Sequence, residues 1–170
     1  VIGAGAAGLS VSAGAALLGL KVILVERGRM GGECLNTGCV PSKALLAAAK
    51  TAYAIRHAHS FGIDATPVTD FKRVHAHVHS VISQIAPHDS PEQFEKFGVE
   101  VIRGNAQFLD RRTIAVEGQE IRTRRAVIAT GSEPSIPSIS GVEHVRLFTN
   151  ETIFENDTLP KHLIILGGGP

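Results

Sequence analysis

The chain has 170 residues, enough for one domain with a packed core. Its 17 Lys and Arg stand against 16 Asp and Glu, and this net charge of +1 at pH 7 gives no electrostatic case for nucleic-acid or membrane-surface partners. Apolar residues make up 44%, with 18 Gly and no Trp, as in an ordinary α/β protein; no run of about 18 apolar residues offers a membrane span, no secretory leader is visible, and two cysteines fit a cytoplasmic location.

Residues 1–8 read G-x-G-x-x-G at Gly3, Gly5 and Gly8. Only Val1 and Ile2 precede the first glycine, whereas a core strand usually has about 5–6 residues, so the first strand is expected to be truncated. An Ala- and Leu-rich helix is expected over residues 9–20, then a buried strand over residues 21–26 that ends on Glu26. Strand, glycines, helix, strand and acid together make a βαβ dinucleotide fingerprint. The first glycine makes the turn, the second lets the backbone approach a pyrophosphate on the helix N-terminus, and the third lets helix and strand pack. Glu26 falls about twenty residues on, where a carboxylate takes ribose hydroxyls. The competing reading is a Gly-rich turn with no ligand.

Cys34 and Cys39 are the only cysteines, with four residues between them. In a regular helix Cα atoms five positions apart sit roughly 8 Å apart, given a rise of about 1.5 Å per residue. A disulfide needs about 4.4–6.8 Å. If the two bond, the turn between them must be distorted, and Asn36-Thr37-Gly38 suits that. Pro41 fits the first turn of a following helix, which places Cys39 at or just before a helix N-terminus, where the dipole favours a thiolate. These are the requirements of dithiol redox chemistry. A structural disulfide is the weaker reading, because so short a loop constrains little chain. Half of a zinc site is weaker too, since no further ligands stand at matching spacing.

The helix after Pro41 is expected to reach about His59, with Phe61-Gly62-Ile63 closing it. A second helix starts near Asp70; Val74, Val78, Val81, Ile82 and Ile85 recur at its period. It carries His75, His77 and His79. His75 and His79 lie one turn apart, but no neighbouring acid or cysteine completes a metal site, so a solvated or interface face is expected and no metal. Ser90, Pro91 and Gln93 form an N-cap, a first-position Pro and a capping-box residue, and Gly98 ends that helix. From Val99 the period becomes that of strands. Residues 99–103, 106–109, 113–116 and 120–123 read as a small antiparallel meander, with a hairpin turn at Glu117-Gly118-Gln119. Arginines between Arg111 and Arg125 fit solvent-facing strand positions better than an anion site. Residues 125–132 read as a core strand running into Gly131. The Pro-rich residues 133–139 are a stiff connector, and Asn150 is a candidate cap for a short helix through Phe154. Residues 161–170 begin a second strand-and-glycine fingerprint, with Gly167 and Gly169.

The run containing Gly32, Cys34, Asn36, Gly38, Cys39, Pro41 and Lys43 resembles the active-site signature of the class I pyridine nucleotide–disulfide oxidoreductases, a family that includes dihydrolipoamide dehydrogenase, glutathione reductase and mercuric reductase. Glu33 stands where that family usually carries Thr. The resemblance covers the whole chain in the family's order. It implies an α/β fold: a Rossmann-like FAD-binding domain over residues 1–140, with a parallel sheet, helices and the small antiparallel β-meander, then a connector and the first strand of an NAD(P)-binding Rossmann domain over residues 141–170. It implies FAD contacts at Gly3, Gly5, Gly8, Glu26, Arg27, Gly31, Gly32, Lys43, Ala106, Ala129, Thr130, Gly131 and Ser132, and an NAD(P)H site begun at Gly167 and Gly169. Lys43 matches the family lysine beside the flavin N5, where a cation stabilises reduced flavin. Cys34, Cys39 and Lys43 are thus the expected catalytic residues. The implied partners are a dithiol or disulfide substrate and a second subunit of a homodimer, with neither nucleic acid nor membrane.

Pro41-Ser42-Lys43 is nearer to the dihydrolipoamide dehydrogenase and mercuric reductase pattern than to that of glutathione reductase. The expected function is therefore dihydrolipoamide dehydrogenase-like, with mercuric reduction as the alternative and inactivity expected for these 170 residues alone. A non-catalytic nucleotide-sensing domain and a His-rich metal carrier are readings of other classes; a sensor needs no dithiol.

Overall fold

The computed structural model describes residues 1–168. Helix α1 (Ala6–Leu17) is followed by strand β1 (Val22–Glu26), a short helix α2 (Gly32–Asn36), and two long helices, α3 (Cys39–Arg56) and α4 (Phe71–Ile85), which pack on each other. Then come α5 (Pro91–Lys96), β2 (Val99–Arg103), β3 (Ala106–Phe108), β4 (Thr113–Val116) and β5 (Gln119–Arg122). No described helix is long and apolar enough to cross a membrane.

A parallel layer forms the centre. β1 pairs with β2, Val22 opposite Val99 and Glu26 opposite Arg103. On the other side of β1 lie residues 1–3: the Val25 amide donates to the Val1 carbonyl at 2.9 Å, and the Gly3 amide to the Val25 carbonyl at 2.8 Å. Residues 127–129 come next. The Ile2 amide donates to Val127 at 2.9 Å, and the Ala129 amide to Ile2 at 2.8 Å. Both isolated bridges of Ile2, to Val25 and to Ile128, are parallel. Numbered along the chain, the four segments lie in the order 3-2-1-4. That is a Rossmann-like order, and ligands bind such sheets where the order reverses, at the carboxyl ends of the strands.

Each face of the β1–β2 pair is covered. Ala4, Leu9, Val22, Leu24, Phe94 and Val99 form one buried cluster, to which α1 and α5 contribute. Val25, Ile114 and Val116 form the other, where the antiparallel β3–β4–β5 sheet covers β1 and β2. Leu24 is fully buried, and burying such a side chain contributes about 1.5–3 kcal/mol. Local signals set the helix starts as expected. The Asp70 carboxylate accepts from the amides of Lys72 and Arg73 at 3.0 and 3.3 Å, and the Ser90 hydroxyl from the Gln93 amide at 3.3 Å.

Several expectations need correction. Residues 99–103 are not part of the meander; they form β2 of the parallel layer, because the Gly104-Asn105 break lets the chain leave that layer before the meander starts. Residues 125–132 make a single bridge rather than a core strand, and Val127 and Ile128 are 40% and 67% exposed. Residues 127–129 are hydrogen-bonded to the segment 1–3. α1 stops at Leu17, ahead of a turn at Gly19, and α3 stops at Arg56, with a 3-10 turn over Ala58–Phe61. Asn150 caps nothing: Thr152 precedes the 3-10 turn Ile153–Glu155, and the Asn150 amide donates instead to Glu33 Oε1 at 3.0 Å. Residues 161–168 form no strand, and Leu163 to Leu166 are 54–82% exposed, since no described strand edge is there to pair with them.

Candidate functional site

The Gly3–Gly8 turn sits where the sheet order reverses. Gly3 has φ +97°, and a Cβ there would collide with the Ala129 carbonyl. A Cβ on Gly8 would collide with the Gly3 carbonyl, so this third glycine lets α1 close on the turn. Gly5 precedes α1 with no side-chain cap, leaving amides of the first helical turn open to an anion. The start of α2 approaches the same turn. Gly31 donates its amide to Ala4 at 2.9 Å, and a Cβ on Gly32, at φ +56°, would stand 2.5 Å from the Gly5 Cα.

A crevice of about 640 Å³ opens there. Of the expected cofactor residues, Gly3, Gly5, Glu26, Arg27, Gly32, Ala106, Ala129, Thr130, Gly131 and Ser132 line it. Gly8 and Gly31 stand behind the lining, in backbone packing. The Glu26 carboxylate accepts from the Ala4 amide at 2.6 Å and from the Gly28 amide at 2.7 Å. A carboxylate has about four acceptor sites, so capacity for ribose hydroxyls remains. Arg27 meets Glu133 across the opening at 3.5 Å, but both are largely exposed and such a pair contributes little. Arg29, Glu33, Thr37, Asn105, Asn150 and Glu151 also line the crevice and were not foreseen. Glu33 and Thr37 were within reach of sequence reasoning, since they flank the cysteine loop; Asn150 and Glu151 carry no signal of their own. Gly167 lies in irregular, exposed chain, and Gly169 lies outside the described residues.

The cysteines stand on two helices. Cys34 is in α2, and Cys39 is the first residue of α3. The helix breaks between them: Gly38 has φ −134° and ψ −106°, and the Asn36 amide ties the loop back to Met30 and Gly32 at 3.1 and 2.8 Å. This is the kind of distortion that a Cys34–Cys39 bond would need. Pro41 is buried in the first turn of α3. Both thiols are free; Cys34 is half-buried and Cys39 exposed. The Cys34 thiol is raised above its ordinary value, first by its hydrogen bond to Cys39, then by burial. The exposed Lys43 ammonium pulls the other way, and Asp89, in the turn after α4, adds to the rise. Asp89 is itself raised, by its own burial, against a weaker opposing effect of His88. Lys43 does not line the crevice; its electrostatic effect falls on Cys34.

Fold and site together define a dinucleotide-binding domain whose dithiol loop forms part of the crevice wall. The chain belongs to the pyridine nucleotide-disulphide oxidoreductase family, whose model matches residues 1–170. The expected cofactors, FAD and NAD(P)H, are those of the family. A mercuric reductase of Streptomyces lividans is 37% identical over 99% of this chain and 37% of its own length. A dihydrolipoyl dehydrogenase of Thermus scotoductus is 38% identical over 99% of this chain and 36% of its own. Among solved structures, the HOCl-induced flavoprotein disulfide reductase RclA of Escherichia coli is 26% identical with a TM-score of 0.75, matching 94% of this chain and 34% of that one. LpdA of Mycobacterium tuberculosis shares the fold with a TM-score of 0.79, over 95% of this chain and 38% of that one. The chain thus spans about a third of the length of the relatives it matches.

Proposed function

We propose that this chain is the FAD-holding part of a disulfide oxidoreductase that moves two electrons between NAD(P)H, FAD, the Cys34–Cys39 pair and an external dithiol or disulfide. One observation carries the reading: the cysteine loop is locked to the glycine turn, through the Gly31–Ala4 hydrogen bond and the Gly32–Gly5 backbone contact. The residues present fit FAD. The open amides at the start of α1 suit its pyrophosphate, Glu26 its ribose, and the segment 129–132 forms the opposite wall. When bound, FAD supplies hydride acceptance and two-electron exchange with the thiol pair.

The thiols do the rest. Cys34, as thiolate, attacks one sulfur of a substrate disulfide, forming a mixed disulfide and releasing the first substrate thiol. Cys39 then attacks the Cys34 sulfur, closing the Cys34–Cys39 disulfide and releasing the second. The same steps in reverse oxidise a dithiol. Cys39, at the N-terminus of α3, is the thiol assigned to face the flavin. Lys43 pulls Cys34 toward thiolate and, by the family resemblance, stands by flavin N5.

The same reading takes residues 1–140 as the FAD-binding domain and residues 141–170 as connector and start of an NAD(P)-binding domain. It includes a cytoplasmic homodimer whose partner subunit supplies the base for thiol exchange. Mercuric ion is the second substrate reading, favoured by the near-equal identities of 37% and 38% to the two kinds of relative. The test is the full-length protein. It should purify yellow, release FAD on denaturation, and turn over NADH with lipoamide or NADPH with mercuric ion. A colourless preparation that fails reconstitution with FAD would sink the proposal.

A further inference from the structure

We propose that His75, His79 and Glu155 form a site for a divalent transition-metal ion of the zinc or copper type, which ties α4 to the connector. His75 and His79 lie one turn apart on one helix face. Their Nε2 atoms face each other at 3.0 Å. The missing acid comes from far along the chain: the turn Ile153–Glu155 brings Glu155 Oε2 to 3.8 Å from His79 Nε2, and the three ligand atoms lie within 4.8 Å of one another. The Phe154 carbonyl adds a fourth lone-pair bearer, 3.2 Å from the same nitrogen.

Two imidazole nitrogens and two oxygens therefore converge on one small volume. A neutral imidazole carries one proton on one of its two nitrogens, so a single Nε2–H can satisfy one of these acceptors but not all. A cation between them satisfies them together. For tetrahedral zinc, with Zn–N of about 2.0–2.1 Å, ligand atoms stand about 3.3–3.4 Å apart, within a few tenths of an ångström of the separations around His79. The carboxylate is the adjustable ligand, since the Glu155 side chain is 63% exposed and that of His79 only 35%. Imidazole donors favour zinc or copper over magnesium or calcium, and beside the three side-chain ligands the Phe154 carbonyl takes the fourth position. The same connector reaches the dithiol side through the Asn150–Glu33 hydrogen bond, so a bound ion would fix the Glu155 end of residues 150–155 while that bond holds the Asn150 end. The inference rests on this geometry and stands apart from the oxidoreductase reading.

The test uses full-length holoprotein carrying Cys34→Ser and Cys39→Ser, so that the dithiol does not compete. Zn²⁺ is titrated against a chromophoric chelator. One equivalent should weaken by at least about tenfold in His79→Ala and in Glu155→Gln, as loss of one of three side-chain ligands requires. His77→Ala should leave it unchanged, because His77 faces the groove between α3 and α4 beside Ala47 and Thr51. Cu²⁺ loaded into the same protein should show coupling to two imidazole nitrogens, one of which is lost in His75→Ala. Retained FAD checks that each variant folds, and the exposed Glu155→Gln keeps the test alive if a histidine variant does not. Zinc affinity unchanged by His79→Ala and Glu155→Gln, or no equivalent bound at all, overturns the proposal.

Discussion

The chain has the same pattern twice, an apolar run followed by clustered glycines, and the two copies take opposite structures. Residues 1–3 are hydrogen-bonded on both sides, to β1 and to the segment 127–129, and their glycine turn is packed against Ala129. Residues 163–166 pair with nothing among the described residues and stand largely in solvent. An apolar run before glycines becomes a strand only where two strand edges receive it. The pattern reports a capacity; the neighbours decide whether it is realised.

Substitution at the matching glycines should break this comparison most sharply. Gly3→Ala should destabilise by about 3 kcal/mol or more, since left-handed strain adds to a collision with the Ala129 carbonyl. Gly167→Ala, at φ +108° with nothing near its Cβ, should cost about 1 kcal/mol or less, because exposed chain relaxes. Denaturation midpoints of the two variants of this 170-residue chain measure both. Equal effects would show that both fingerprints are equally built.

Next in size are the thiols that the first copy holds in place. Cys34→Ala should keep a long-wavelength thiolate–flavin band and lose disulfide reduction; Cys39→Ala should lose both. The reverse spectra would reverse the roles. Glu26→Gln should cost about 1–3 kcal/mol, because two backbone donors lose a charged acceptor, and should weaken FAD retention as well. An unchanged midpoint would remove Glu26 from the support of the turn.

Two smaller effects depend on pH. Cys34 is raised from the ordinary thiol value of 9.0 chiefly by its bond to Cys39. Stability from that bond is present below pH 9 and fades as pH rises through the elevated value. Removing the acceptor in Cys39→Ala should lower the Cys34 pKa and speed its alkylation at pH 8; slower alkylation would contradict the hydrogen-bond direction. Asp89 is raised from 3.8, mainly by burial, so its ionisation opposes folding as pH climbs above that value. Asp89→Asn should therefore be slightly more stable at pH 7, and the difference should vanish below pH 3.8, where the acid is protonated both folded and unfolded. Denaturant midpoints taken across that range decide it.

What could be read from the residues was local. The βαβ unit, the Asp70 and Ser90 caps and the break between the cysteines all rest on side chains acting within a few positions of themselves. The role of residues 99–103 was not legible, because Val-Glu-Val-Ile-Arg alternates as well for an antiparallel ribbon as for a parallel edge, and pairing with β1 is a tertiary choice. Half of the crevice wall was legible from family motifs. Its far side, at Asn150 and Glu151, was not, because the connector reaches it only after folding back over α2 and α4. The same return explains why His75 and His79 looked incomplete: their acid lies 76 residues beyond His79 in the chain (155 − 79), a separation that no spacing rule covers.

The placement of residues 1–3 between β1 and residues 127–129 also sets an order of assembly. The first partner of this segment is made some twenty residues later, but the second waits until residue 129, which is 126 positions after Gly3 (129 − 3). At synthesis rates of about 5–20 residues per second, that wait lasts about 6–25 s. The interval keeps one edge of the central segment open while the intervening helices and the meander emerge. Such long-range closure is slow for entropic reasons, so the last seam to close should be the one beside the cofactor crevice. Pulse-labelled hydrogen exchange during refolding should find the Ile2 and Ala129 amides protected after those of β4 and β5; simultaneous protection would mean that the seam forms with the rest of the domain.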